Sequence, residues 1–390
     1  MKYNFDKITD RKNTYSIKVD NLPKGSPADA LPLWVADMDF PCAQPIIDAL
    51  QKRLDMQIYG YTDYNRVDLK KSVSDWFLRR HDWNINTDDI FFSPGVVPAI
   101  AVLINILTEP GDGIIIQRPV YYPFTAKIEN NGRKVVNNPL VYENGAYTMN
   151  FADLESKLAN PENKGLILCN PHNPIGRVWT RDELLQVVEL CKKYDKWIIS
   201  DEIHCDLTRI GIKHYPLLSI APEYSHRIIA CTAPSKTFNL AGMHLSNIVI
   251  PNDEYKKAWK HFINERLGMD GAGVFSVIAM HAAYTEGEEW LDQLREYLDG
   301  NIAYIKDFTE KHLPKAHMVD CQGTYLVWLD LNGYCRDHVQ LEQLMQNKAR
   351  LALDEGYIFG EEGIGFERIN VASPRSVIED CMNRLKNTLE

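Results

Sequence analysis

Three short apolar runs in this chain end in residues that could do chemistry. Leu166-Ile167-Leu168-Cys169 leads into Asn170-Pro171-His172-Asn173-Pro174. Trp197-Ile198-Ile199 leads into Ser200-Asp201-Glu202-Ile203-His204, and Ile228-Ile229-Ala230 leads towards Ser235-Lys236-Thr237-Phe238-Asn239. Runs of this length read as buried parallel strands, and the carboxyl ends of such strands carry functional loops in open α/β sheets. One rim would then receive an amide, a carboxylate and an amine. The Lys236 amine can condense with an aldehyde. The Asp201 carboxylate can pair with a protonated ring nitrogen, and the Asn173 amide can donate to a ring oxygen. An aromatic aldehyde of the pyridoxal phosphate type needs those three partners.

A fourth segment adds an anion site. Phe91-Phe92-Ser93-Pro94-Gly95-Val96-Val97-Pro98 leads into an apolar stretch from Ala99 to Leu107. A turn followed by a helix start presents unpaired N–H groups and the positive end of the helix dipole. Each signal has a plainer reading by itself. Lys236 could be a solvated loop lysine, Asp201 a helix cap, and Asn173-Pro174 an ordinary turn. Asp201, His204, Cys205 and Asp206 could also be read as a metal cluster. Side chains that alternate along a strand, without a clear zinc spacing, argue against that, and no metal is expected.

Two further segments complete a pattern: Leu33-Trp34-Val35-Ala36-Asp37-Met38-Asp39-Phe40 and Arg368-Ile369-Asn370-Val371-Ala372-Ser373-Pro374-Arg375. From about Leu33 to the C-terminus the chain resembles the fold type I pyridoxal-phosphate enzymes, the aspartate aminotransferase superfamily. Within it the chain is most similar to the MalY/PatB-type cystathionine β-lyases, which carry histidine, as at His204, where aminotransferases usually carry tyrosine. The resemblance implies a role for each matched residue. Lys236 forms the Schiff base, Asp201 pairs with the ring nitrogen and Asn173 bonds the phenolic oxygen. Gly95, Val96 and Val97 offer backbone N–H groups to the phosphate, with hydroxyls from Thr232 and Ser235. Ala233 departs from the serine that aminotransferases commonly place three residues before the lysine. Tyr121 stacks on the ring, with Tyr122 the alternative, and His204 joins the cofactor set. Tyr61 matches the position that reaches the neighbouring subunit's phosphate, with Tyr64 a weaker alternative. Arg368 clamps the substrate carboxylate, with Tyr121 and Ala36 beside it, while Arg375 is structural.

These residues need a scaffold to position them. Strands alternating with helices imply a mostly parallel sheet covered on both faces. Pro45 opens a helix with Ile46, Ile47, Leu50 and Leu54 at helical spacing, and residues 67–80 form another. Asn150 caps a short helix from Phe151, and Thr180-Arg181-Asp182-Glu183 has capping-box spacing. After Tyr255 a long helical region runs towards Tyr304. The tail alternates strand-like and helical patterns. The expected architecture is α/β. It has a large cofactor-binding domain over 41–285, with one antiparallel strand from the resemblance. A smaller α+β domain is built from 1–40 and 286–390.

The chain has 390 residues, 45% hydrophobic and 25% charged, with a net charge of −10. An acidic chain without clustered cations does not suit nucleic acid. No apolar run approaches the roughly 20 residues that span a bilayer, and the N-terminus lacks a signal-peptide core. Eight dispersed cysteines read as reduced thiols, so a cytoplasmic protein is expected. The resemblance implies a homodimer with shared active sites acting on a small amino acid. The expected reaction is carbon–sulfur β-elimination from cystathionine or related cysteine conjugates. Transamination on the same scaffold is the alternative, and partner binding in regulation is a third reading.

Overall fold

The computed structural model describes residues 1–269 and 271–390. Among them, seven strands form one sheet: β1 (Ile90–Ser93), β2 (Gly113–Ile116), β3 (Lys134–Asn137), β4 (Asn163–Cys169), β5 (Trp197–Asp201), β6 (Ile228–Thr232) and β7 (Ser246–Val249). Their order is β1-β7-β6-β5-β4-β2-β3. β7 runs antiparallel to both of its neighbours, and the other pairs in this sheet are parallel. The parallel strands are apolar on both faces because both are covered. Ile114, Ile116 and Ile199 pack in one core cluster, and Ile115, Leu166 and Ile198 in another.

The helices that bear on the site are α1 (Gln44–Asp55), α2 (Val67–His81), α3 (Val96–Leu107), α4 (Arg181–Lys193), the single turn α5 (Pro234–Thr237), α6 (Val274–Glu286), α7 (Glu288–His312) and α8 (Arg375–Leu389). Thr180 and Glu183 form the expected capping box on α4, and Asn150 accepts from the Asp153 N–H. The long helical region expected after Tyr255 is broken. A first helix ends near Gly268, whose φ of +63° suits glycine, and α6 begins only at Val274. Gly287 then separates α6 from α7.

A second, antiparallel sheet lies in the C-terminal part: β8 (His317–Met318), β9 (Leu326–Asp330), β10 (Asp354–Glu355) and β11 (Phe366–Asn370), in the order β8-β9-β11-β10. The N-terminal segment is fastened to it. Leu31–Pro32 pairs in parallel with Leu351–Ala352, and Asn370 Nδ2 donates to the Val35 and Asp37 carbonyls at 2.7 and 2.6 Å. Arg11 bonds Asp37 and Asp39, and the fully buried Lys18 holds Asp39 at 2.8 Å. On β11, Glu367 lies opposite Glu355, fully buried, with no hydrogen-bond partner for either carboxylate oxygen. Among the described residues, no helix is long and apolar enough to cross a membrane.

Candidate active site

The carboxyl ends of β4, β5 and β6 meet around a cavity of about 370 Å³. Asn173, from the loop after β4, Asp201, at the end of β5, and Lys236, on α5 after β6, all line it. The structure thus brings the amide, carboxylate and amine together. Ala36, Gly95, Val96, Val97, Tyr121, His204 and Ser235 line the same cavity.

Lys236 Nζ donates to the Ala36 carbonyl at 2.7 Å, and the Tyr325 hydroxyl donates to the same oxygen at 2.8 Å. Burial first, and the Arg368 guanidinium second, lower the Lys236 pKa from 10.5 to about 8, against the pull of Asp37 and Asp201. A fraction of the amine is then neutral near pH 7, as a nucleophilic lysine requires. Asp201 is 4% exposed and accepts one hydrogen bond, from the Ile203 N–H at 3.2 Å. Burial, reinforced by Glu202, raises its pKa to about 7, opposed by that N–H and by Lys236. A buried carboxylate with so few donors fits a cationic ring N–H brought into the cavity. His204 is held well below its usual pKa by burial, then by Lys236 and Arg368, and its Nδ1 has no partner. Its ring meets Tyr325 edge-on at 5.9 Å.

The anion end fits as well. α3 begins at Val96 with no side-chain cap and no acidic residue in its first turn. Its free N–H groups face a cavity that Gly95, Val96, Val97 and Ser235 line together. Thr232 does not take part. It is fully buried, and its hydroxyl donates to the Asn247 carbonyl across the sheet at 3.1 Å. Of the two tyrosines, Tyr121 lines the cavity, while Tyr122 is 45% exposed and does not. The Tyr121 N–H donates to the Asn173 carbonyl at 3.0 Å, which ties the ring's loop to the amide's.

Arg368 is buried just outside the lining. It pairs with Asp354, donates to Asn173 Oδ1 at 3.0 Å and to the Trp34 carbonyl at 2.8 Å, and packs over Phe359. The bond to Asn173 takes the carboxamide oxygen, which leaves the NH₂ group to donate. Arg375 lies elsewhere, on Asn301 at 2.8 Å and over Tyr304. Tyr61 is fully exposed and touches no part of this cavity. Tyr64 is buried, with its hydroxyl on Asn247 at 2.7 Å, so it is not free to reach outward.

The alternative metal set separates. Asp201 and His204 line the first cavity, whereas Cys205 and Asp206 line a second one with His81. Sequence reasoning missed His244, Leu245 and Ser246, which line the cavity just before and at the start of β7. It also missed the Asp354 partner of Arg368. Neither carries a local pattern, because each arrives by strand pairing.

The sequence pattern described as "Aminotransferase class I and II" matches residues 28–385. The chain is 42% identical to "Cystathionine beta-lyase PatB" of Bacillus subtilis (strain 168), covering 99% of this chain and 100% of that protein. A PLP-bound putative aminotransferase from Clostridium difficile 630 superposes with a TM-score of 0.97 at 42% identity, over the whole of both chains. Cystalysin from Treponema denticola, whose structure contains pyridoxal 5'-phosphate, superposes with a TM-score of 0.95 at 40% identity, over 100% of this chain and 99% of that one. With likeness of this extent in sequence and in fold, the chain belongs to the aminotransferase class I and II family, on its cystathionine β-lyase branch.

Proposed function

We propose that this protein is a pyridoxal-phosphate-dependent carbon–sulfur β-lyase acting on cystathionine or a related cysteine conjugate. The observation that carries the reading is the meeting of Lys236, Asp201 and Asn173 around one cavity, in a chain 42% identical to a cystathionine β-lyase. Lys236, Asp201, Asn173, Tyr121, His204 and Ser235, with the backbone of Gly95–Val97, would hold the cofactor. Once bound, pyridoxal phosphate supplies an aldehyde for the substrate amine and a ring that takes up the electron pair at Cα.

The chain's own groups do the rest. Lys236, partly neutral near pH 8, removes the Cα proton. Asp201 holds the ring nitrogen in its protonated form through opposite charge. Arg368 grips the α-carboxylate with a planar fork of donors, after exchanging part of its present bonding to Asp354 and Trp34. Tyr121, in the cavity wall, would stack on the ring. A thiol leaves from Cβ, and with one water consumed the other products are pyruvate and ammonia.

Two copies would share their sites through Tyr61, whose full exposure suits a contact with a neighbouring chain. The eight cysteines are unpaired, which suits a reducing cytoplasm. Transamination is the second reading, favoured by the description of the Clostridium difficile protein as an aminotransferase. Incubation with cystathionine in the absence of any keto acid separates the two. Equal amounts of pyruvate and homocysteine are expected. Conversion of the cofactor to its amine form, reversed only by a keto acid, would establish transamination instead.

A further inference from the structure

Lys236 sits on α5, a single turn of four residues with no side-chain cap. A turn that short has no stability of its own, so tertiary contacts must set its orientation. On one side Asn239 clamps the Met38 and Phe40 carbonyls at 3.0 Å each. On the other side the fully buried Thr237 donates its hydroxyl to Asp206 Oδ2 at 2.9 Å.

Asp206 is 4% exposed and meets three side chains from two elements. Besides Thr237, it takes the Trp76 indole N–H at 3.2 Å and meets His81 Nε2 at 2.7 Å, both from α2. Although burial opposes its charge, His81 first, then Thr237 and the Arg80 charge, hold its pKa below the usual carboxylate value. Asp206 also lies on the run that follows β5. The turns Cys205 N–H to Glu202 C=O and Leu207 N–H to His204 C=O connect it to His204 and to Glu202, the residue after Asp201. The same carboxylate therefore ties the loop of the ring's partner to the turn of the reactive amine.

We infer that Asp206 is a positioning residue, whose hydrogen bond to Thr237 keeps Lys236 in register with Asp201. The inference rests on the functional reading above and adds a residue remote from substrate. A misplacement of the amine by a fraction of an ångström weakens proton transfer far more than it weakens substrate binding, which Arg368 supplies.

Thr237→Val removes the hydroxyl and keeps the shape, and Thr237→Ser keeps the hydroxyl. In the holoenzyme, Thr237→Val is expected to lower kcat about 10- to 100-fold with KM changed less than about threefold. Apoprotein of the same variant should take up pyridoxal phosphate more slowly, and the pH midpoint of the bound cofactor's absorbance should move. Thr237→Ser should restore all three. The inference is overturned if Thr237→Val lowers only the melting temperature and leaves kcat, uptake rate and midpoint at wild-type values. Should Thr237→Val not fold, Thr237→Ala against Thr237→Ser makes the same comparison. Failure of the wild-type protein to take up the cofactor at Lys236 would instead refute the underlying function.

Discussion

Asp201→Asn should stabilise the cofactor-free protein while disabling the loaded one. In the folded apoprotein the Asp201 pKa rises from 3.8 to about 7, chiefly through burial. A carboxyl group with a raised folded pKa costs nothing below its unfolded pKa. The cost grows as pH rises from about 4 and is complete above about 7. Three units at ~1.36 kcal/mol each set that cost at about 4 kcal/mol at pH 8. At pH 5 it is roughly 1–2 kcal/mol. The stability gained by Asp201→Asn should therefore be larger at pH 8 than at pH 5 by about 2–3 kcal/mol. Urea unfolding of apoprotein at both pH values measures this, and the pH difference cancels any constant effect of the substitution. Bound cofactor should reverse the ranking. Opposite charges ~4 Å apart at an effective dielectric of about 20 attract by roughly 4 kcal/mol, which only the wild-type carboxylate can use. An equal gain at pH 5 and pH 8 would refute the reasoning, since Asp201 would then not be titrating in that window.

Other outcomes follow from the same structure. Borohydride reduction of the loaded protein should fix the cofactor to the peptide carrying Lys236, read by mass. Arg368→Ala should keep the cofactor's colour but lose about 30- to several-thousand-fold in kcat/KM, for a loss of about 2–5 kcal/mol. Arg375→Ala, bonded to Asn301 and not to the cavity, should lower the melting temperature and leave turnover nearly intact; the opposite ranking would misplace the clamp. Burial raises the pKa of Glu355 to about 7 and lifts that of Glu367 well above the ordinary range, so both cost stability as pH rises. Glu367→Gln should accordingly raise the melting temperature more at pH 8 than at pH 5. Mixed dimers of Lys236→Ala and an inactive Tyr61 variant should recover some activity, and no recovery after confirmed subunit exchange would count against shared sites.

Much of the sheet was legible because its strands are short apolar runs closed by polar residues. That pattern marks both the strand and the rim, so Asn173, Asp201 and Lys236 could be placed together from sequence. The capping box at Thr180 was equally local. Less was legible where a role depends on which partner a side chain finds. Thr232 looks like a phosphate hydroxyl in sequence, but β7 brings it the Asn247 carbonyl first. The choice between Tyr121 and Tyr122 rests on one step of register, visible only through burial. The break near Gly268 was missed because apolar spacing continues on either side of it. Asp206 stood out in sequence only as a rival metal ligand, since the three donors that define its place come from residues 76, 81 and 237.

The fastening of residues 34–39 has a consequence for synthesis. This strip supplies the carbonyl that receives Lys236, and it is among the first parts of the site to leave the ribosome. Its clamp from the second sheet arrives much later than those from Arg11 and Lys18, because Asn370 follows Val35 by 335 residues. The β11 strand that carries Asn370 follows every strand of the large sheet in the chain. Contacts of such separation are slow to form. The nascent chain can therefore complete its large sheet first, but it closes the Lys236 pocket only after β11 has emerged. A chain cut short before Asn370 would keep the strands and the lysine and lose the wall against which that lysine rests.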